Sequence, residues 1–425
     1  MKNYLNGLNG MIVSGANNRA GRKAMREIQE ANEARRGIIY YRPSQIEAFF
    51  DESVPIESLI VSGGSNNLRI RSVTRAIECA FLQGYSILVI HAGNIELEQC
   101  LVNYFGSSLM CIINRNNAIY DPFYRATNDE ISRLVLSSSQ RKHRISSSGR
   151  YYLNGISDYI RCNHKLPRCY MFVKCPHQTL IDRVNSAENK GIISPSEARN
   201  VVSQITQGQA DRGSIESFFH DLSIQGGAVL SSKNNAAYAT NLVNESNNHR
   251  ILSVDVQSNS NSILMNLLVH ETESIVSQGK KMMIIIDGIN VHASEALMNY
   301  VNHNGGGTSA VISSEDVYSE FGGIDNEFFS FVGKCSKLII SKHSSAYSSQ
   351  KVSDAIGSYD KQEISDSISR NVNYYGRWGV GSSQTLNVST KRENRVKSEE
   401  IQRMNNDEVV ILDKNTGELS FSPIV

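Results

Sequence analysis

The sequence has no run of about 18 consecutive apolar residues, so no segment reads as a membrane-spanning helix, and no secretory leader is legible at its start. Cysteine is scarce: seven in 425 residues, irregularly spaced. That excludes a disulfide framework and reads as reduced thiols in an intracellular protein. Neither sign of charge dominates, with 43 Lys+Arg against 42 Asp+Glu, so whole-chain electrostatics nominate no polyanionic partner. No repeat of the solenoid kind is present. These absences leave a soluble, cytoplasmic chain as the expectation, long enough for roughly two or three domains with a real core.

What is present is an alternation of strand and helix signals. Lys280-Lys281 leads into Met282-Met283-Ile284-Ile285-Ile286-Asp287, an apolar run without alternation. Such a run reads as a strand buried on both faces of a parallel sheet. Shorter runs at Met11–Val13, Ile38–Tyr41, Ser58–Val61, Tyr85–Ile90 and Leu109–Ile113 are separated by helical spacing over 22–36, 71–82 and 95–104. Between 125 and 248 the strand signals thin out, and Ser194-Pro195-Ser196-Glu197 is a helix start with cap, N1 proline and reciprocal glutamate. Strands resume at 250–256, 309–313 and 337–340, with a helix over 262–278. Val409–Leu412 and Leu419–Phe421, joined through Asn415-Thr416-Gly417, read as a terminal hairpin. The pattern predicts an α/β fold of the P-loop NTPase (RecA-like) kind, a parallel sheet interrupted by an all-helical domain. The expected division is 1–124 and 249–425 for the α/β domain and 125–248 for the insertion.

A strand of this kind that ends on one carboxylate has the form of the Walker B element, whose Asp helps hold Mg²⁺ near nucleotide phosphates. The plainer reading of Asp287 is a turn residue ending a core strand. The next position, where a carboxylate orients the attacking water, is Gly288. The strand at 58–61 runs into Gly63-Gly64-Ser65-Asn66-Asn67-Leu68-Arg69-Ile70-Arg71-Ser72, where a loop of the form G-x-x-x-x-G-K-[ST] belongs. With Ser72 at the hydroxyl position, Arg71 replaces the lysine and Ile70 the closing glycine, which spoils a cradle of backbone N–H groups. Gly63, Gly64, Arg71, Ser72 and Asp287 are therefore the residues of a weak nucleotide site at best. A second loop, Gly15 to Lys23, is one residue too long and ends on Ala24, which has no hydroxyl. The Asp287 strand is expected at the centre of the sheet, beside the strand ending at Ser62.

Residues 125–174 hold ten cations, among them Arg141, Lys142, Arg144 and Arg150, against three carboxylates, with Tyr151, Tyr152, Tyr159 and Tyr170 interleaved. This block could grip single-stranded nucleic acid, an acidic partner or an anionic membrane surface, or simply be a solvated face. Cys162, His164, Cys169, Cys175 and His177 offer zinc-type ligands, though not at the customary spacing. His91, His292 and His303 have no evident catalytic companion.

The order of these elements resembles the type IV secretion coupling proteins, the TraG/TraD-like conjugative motor family. The features that carry the resemblance are the degenerate loop after 58–61, the turn His91-Ala92-Gly93-Asn94, Tyr120-Asp121-Pro122-Phe123, the helical insertion and the Asp287 strand. They continue through Val352–Gly357 and Arg395-Val396-Lys397-Ser398-Glu399-Glu400-Ile401, so that the resemblance spans about 55–425. The departures fall on the catalytic positions. The family's Gly-Lys-Ser/Thr is Ile70-Arg71-Ser72, its Asp-Glu pair is Asp287-Gly288, its strand-end glutamine is replaced within Ile312-Ser313-Ser314, and its arginine within Asn302-His303-Asn304. The resemblance implies a catalytically silent component of a secretion or conjugation apparatus, acting as a structural or recruiting adaptor. On this reading it needs no cofactor, assembles with apparatus proteins or an active paralogue, and reaches the inner face of the cell membrane through a partner. The alternatives are an ATP- and Mg²⁺-dependent translocase with an unorthodox loop, and a module binding single-stranded DNA.

Overall fold

The structure, a computed structural model, describes residues 22–40, 57–139, 142–258, 262–302, 308–371 and 381–423. The expected strand at Met11–Val13 and nearly all of the loop from Gly15 lie outside them. The described residues form twelve strands: β1 Ile38–Tyr40, β2 Ser58–Ser62, β3 Ser86–His91, β4 Met110–Ile113, β5 Ile251–Asp255, β6 Met282–Asp287, β7 Thr308–Ser314, β8 Cys335–Ile340, β9 Ser358–Asn371, β10 Gly381–Asn394, β11 Glu408–Asp413 and β12 Leu419–Pro423.

Ten of them make one sheet in the order β1-β12-β11-β8-β2-β7-β6-β3-β5-β4. The seven strands from β8 to β4 pair in parallel, and β11 runs against both its neighbours. Burial explains the apolar runs. Every residue of β6 is buried, and successive residues of β2 alternate between two cores: Leu59 and Val61 pack on one face, Ile60 on the other. Helices Asn66–Leu82 and Ile95–Phe105 cover the first face, and Ser262–Ser277 and Glu295–Asn302 the second.

The strand order corrects one expectation. β6 is central but not adjacent to β2, because β7 lies between them, bonded to both. The short crossover through helix Glu295–Asn302 returns the chain directly beside β6, where a right-handed βαβ connection places its next strand.

Between β4 and β5 the chain is helical, from Asn128–Ser138 to Leu242–Asn248. It has its own core, with Phe123, Phe172 and Phe219 in mutual ring contact, and Ile263 and Leu267 of helix Ser262–Ser277 join that core to the sheet side. The Ser194 capping box forms as its residues require. The one large element not anticipated is the long ribbon β9–β10, paired antiparallel from Ser358↔Asn394 to Asn371↔Gly381 and separate from the main sheet. Helix 22–36 holds its base: the Asn32 amide bonds both the backbone C=O and N–H of Gln362, each at 2.8 Å. Among the described residues no helix is long and apolar enough to cross a membrane.

Candidate functional site

The carboxyl ends of parallel strands form the ligand-binding edge of an open α/β sheet, and here they bring Ser62, Ser314, Asp287, His91 and Asp255 into one row. The register sets His91 opposite both Asp287 and Asp255, and Asp287 opposite Ser313. The edge is polar because the apolar runs end there.

The turn leaving β2 is short. Only Gly63, Gly64 and Ser65 separate the strand from helix Asn66–Leu82, and Ser65 caps that helix by accepting from the Leu68 N–H. Ile70, Arg71 and Ser72 therefore lie inside the helix, not in a loop. Ile70 packs into the core, Ser72 is fully buried and its hydroxyl donates to the Leu68 carbonyl at 3.0 Å, and Arg71 lies on the exposed side. The structure thus does not gather Gly63, Gly64, Arg71, Ser72 and Asp287 around one empty cradle.

The three N–H groups of the turn itself are committed to protein carbonyls. Gly63 donates to Ser314 at 3.0 Å, Gly64 to Lys342 at 3.0 Å and Ser65 to Asn406 at 3.1 Å. Both glycines have positive φ, 87° and 71°, and both are tightly covered. A Cβ on Gly63 would lie 2.6 Å from the Lys342 carbonyl oxygen, and one on Gly64 would lie 2.8 Å from that of Asn406. His343 completes the cover. Its Nδ1 lies 2.9 Å from the Ser341 carbonyl and its Nε2 2.8 Å from the Ser62 hydroxyl, which also accepts the Val317 N–H. The ring therefore donates through Nδ1 and accepts through Nε2. Burial holds its pKa below the ordinary histidine value.

The charge around this helix start is also wrong for an anion. A helix N-terminus normally attracts phosphate. Here the Ser65 hydroxyl donates to Asp407 at 2.9 Å, and the Asn66 amide donates to Glu96 at 2.6 Å. The cation at the turn, Arg69, is buried and donates to the Gly64 carbonyl at 2.9 Å, with Glu315 3.9 Å away.

Asp287 is held by a residue of the His91–Asn94 turn, a contact that the sequence did not indicate. Asn94, the cap of helix Ile95–Phe105, donates to its Oδ2 at 2.7 Å and to Asn66 Oδ1 at 3.2 Å. The adjacent Gly288 has φ 65° and donates its N–H to Ser313 at 2.8 Å. Glu320, after β7, supplies another carboxyl within electrostatic reach of Asp287; burial raises its pKa first, and the negative charges of Asp316 and Asp287 add to the rise. Beside them His91 is fully buried. Its Nδ1 accepts the Asn94 N–H at 3.1 Å, and its Nε2 lies 3.7 Å from Glu98 with no hydrogen bond among the described residues. His91 lowers the pKa of the Glu98 carboxyl against the opposing effect of burial, and the Asn114 amide adds to the lowering. Composition could flag these residues only as polar ends of strands; the sheet register brings them together.

The basic block is dispersed. Arg161 donates to Asn128 and to the Ala126 carbonyl, Arg168 stacks over Tyr124, and Lys142 pairs with Asp221 at 2.6 Å. Tyr152 is buried in the helical core. Lys142, Arg144 and Arg150 are exposed, Arg150 over the Tyr151 ring, and Arg141 lies outside the described residues. Nor do Cys162, His164, Cys169, Cys175 and His177 converge. Buried Cys169 donates its backbone N–H to Asp121, whereas His177 contacts the Tyr152 hydroxyl. Among the described residues a different trio is gathered at metal-ligand distance, Cys111, Glu245 and His249. All seven cysteines are free.

Neither a family model nor a curated protein matches the sequence. Solved structures do. The unbound bacterial conjugative coupling protein TrwB superposes with a TM-score of 0.56 at 11% identity, covering 90% of this chain and 91% of that one. TrwB in complex with the GTP analogue GDPNP gives 0.57 at 11% identity, covering 90% and 92%, and its complex with ADP and Mg²⁺ gives 0.55 at 12% identity, covering 90% and 91%. At this identity the likeness establishes architecture: the chain has the P-loop NTPase fold of that coupling protein, with its helices set around a mostly parallel ten-stranded sheet.

Proposed function

We propose that this chain is a coupling-protein-like component of a secretion or conjugation apparatus that keeps the P-loop fold without its chemistry. It serves as a structural or substrate-recruiting adaptor. The observation that carries this reading is the turn after β2, whose three N–H groups bond to the carbonyls of Ser314, Lys342 and Asn406. Phosphoryl transfer depends on positioning and charge stabilisation, and three backbone donors already spent leave little of either. Asp407 and Glu96 at the helix start oppose a triphosphate, and Gly288 offers no carboxylate to orient water. These residues do not fit ATP with Mg²⁺, although TrwB itself has been seen with ADP and Mg²⁺. Partners in this reading are apparatus proteins or an active paralogue, which would also bring the chain to the inner face of the cell membrane. The exposed cations Lys142, Arg144 and Arg150 are the surface offered to a recruited acidic partner or single-stranded DNA.

Calorimetric titration of the purified chain with ATP and Mg²⁺, with its oligomeric state measured alongside, tests the reading. The expected result is no saturable binding at millimolar nucleotide, in an assembly that forms without it. Micromolar affinity that requires Mg²⁺ and is abolished in Asp287→Asn would overturn it.

A further inference from the structure

Away from the strand ends, three residues of different chemistry converge at the edge of the sheet. Cys111 lies on β4, the outermost strand of its side, and its side chain belongs to the core on the face covered by Leu242. Glu245 and His249 stand one helical turn apart at the end of helix Leu242–Asn248. The thiol sulfur, a carboxylate oxygen and an imidazole nitrogen all lie within 4.8 Å of one another, with Cys111 buried.

We propose that Cys111, Glu245 and His249 form a divalent transition-metal site, with zinc as the metal that their chemistry selects. One sulfur, one nitrogen and one oxygen ligand suit zinc, which takes four ligands in a tetrahedron and often leaves one position to water. The geometry needs only small adjustments. Zinc bonds of about 2.0–2.3 Å put tetrahedral ligand atoms roughly 3.3–3.6 Å apart. The His249 Nδ1 to Glu245 Oε2 contact of 2.8 Å must open by about half an ångström, and the widest spacing must close by about one. His249 is partly exposed and gives the ion a way in.

The surroundings are already those of an oriented ligand set. The Thr240 hydroxyl donates to Glu245 Oε1 at 2.6 Å and the Asn244 amide at 3.3 Å, which leaves Oε2 directed at His249. Such supporting bonds fix ligating carboxylates. The backbone agrees, since the His249 N–H donates to the Glu245 carbonyl at 2.8 Å. The bland alternative is a helical Glu–His pair with the Cys111 thiol packed in the core beside it, and metal binding separates the two readings. A bound ion would pin the last helix of the insertion to the strand that precedes the insertion, closing that segment at its base. This requires no nucleotide and is independent of the adaptor reading.

The test uses the full chain, stripped with a chelator and titrated with Co²⁺. Cobalt bound to a thiolate shows a charge-transfer band in the near ultraviolet, so the readout reports sulfur ligation directly. The expected result is one equivalent bound with that band, displaced by Zn²⁺ and absent in Cys111→Ser. Thr240→Val should weaken binding about 10- to 100-fold, and His249→Ala at least as much. No band with Co²⁺ in excess, or an undiminished band in Cys111→Ser from thiols such as Cys162 or Cys175, overturns the proposal. Should Cys111→Ser fail to fold, the partly exposed His249→Ala decides alone: unchanged cobalt affinity rejects the site, and a loss of tenfold or more supports it.

Discussion

Replacing Gly63 by alanine asks directly whether the turn after β2 is closed, and the fold contains its own control. Gly63 and Gly288 each follow a strand of the same sheet, have φ of 87° and 65°, and donate their N–H to consecutive residues of β7, Ser314 and Ser313. An alanine at either position takes on the left-handed conformation, at a cost of about 1–2 kcal/mol. It recovers about 0.4–1 kcal/mol through the unfolded chain. Those terms are shared. What differs is the space: a Cβ on Gly288 meets nothing within 4 Å, whereas on Gly63 it lies 2.6 Å from the Lys342 carbonyl oxygen and 2.8 Å from the buried His343 ring. Overpacking of this kind costs about 1–3 kcal/mol. Gly63→Ala should therefore be less stable than Gly288→Ala by that amount. Paired urea unfolding curves, followed by circular dichroism, measure the difference. Equal stability within about half a kcal/mol, below the overpacking range, would mean that the turn opens freely, and the argument for a filled phosphate site would fail.

Two further outcomes are expected. The buried His343 ring has a pKa held below its unfolded value of about 6.5 by burial. Its neutral form is therefore favoured in the fold, and its contribution is complete above that pH and lost as the pH falls through the folded pKa. Unfolding curves at pH 7.5 and 5.5 should show a smaller loss of stability on acidification in His343→Gln than in the parent, and identical losses would refute this. Reversing Arg141, Lys142 and Arg144 to Glu should weaken binding of single-stranded DNA or an acidic partner without lowering the melting temperature by more than a few degrees, since Lys142 and Arg144 are exposed. If DNA is the partner, fluorescence anisotropy should show affinity falling steeply with salt, and a flat response would exclude that partner.

The fold was legible where burial writes directly into sequence. β6 is apolar at every position from Met282 to Ile286 because both of its faces are covered, and a run without alternation says so. The closing hairpin was legible from Asn415-Thr416-Gly417, since Gly417 takes φ 75° at the turn. Ribbon β9–β10 was not, because Ser358–Asn371 and Gly381–Asn394 lack the apolar alternation that marks a strand packed on a core. The position of β7 between β2 and β6 is a property of the crossover, which no local pattern records. At the site, a motif frame of fixed length stretched the turn to Ser72, although Ser65 already carried the signal of a helix cap. The partners that close the turn, Ser314, Lys342, His343 and Asn406, lie some 250 to 340 residues further along. Asn94 and His91 acquire their roles only through register with Asp287.

Phosphate release by the purified chain, with and without single-stranded DNA and beside an Asp287→Asn control, bears most directly on the central claim. With the turn's N–H groups bonded to Ser314, Lys342 and Asn406 and no carboxylate at Gly288, release should stay at the level of the control under both conditions. Turnover of about one per second or faster, in the range of working enzymes, stimulated by DNA and abolished by Asp287→Asn, would make this chain an active motor and contradict the account.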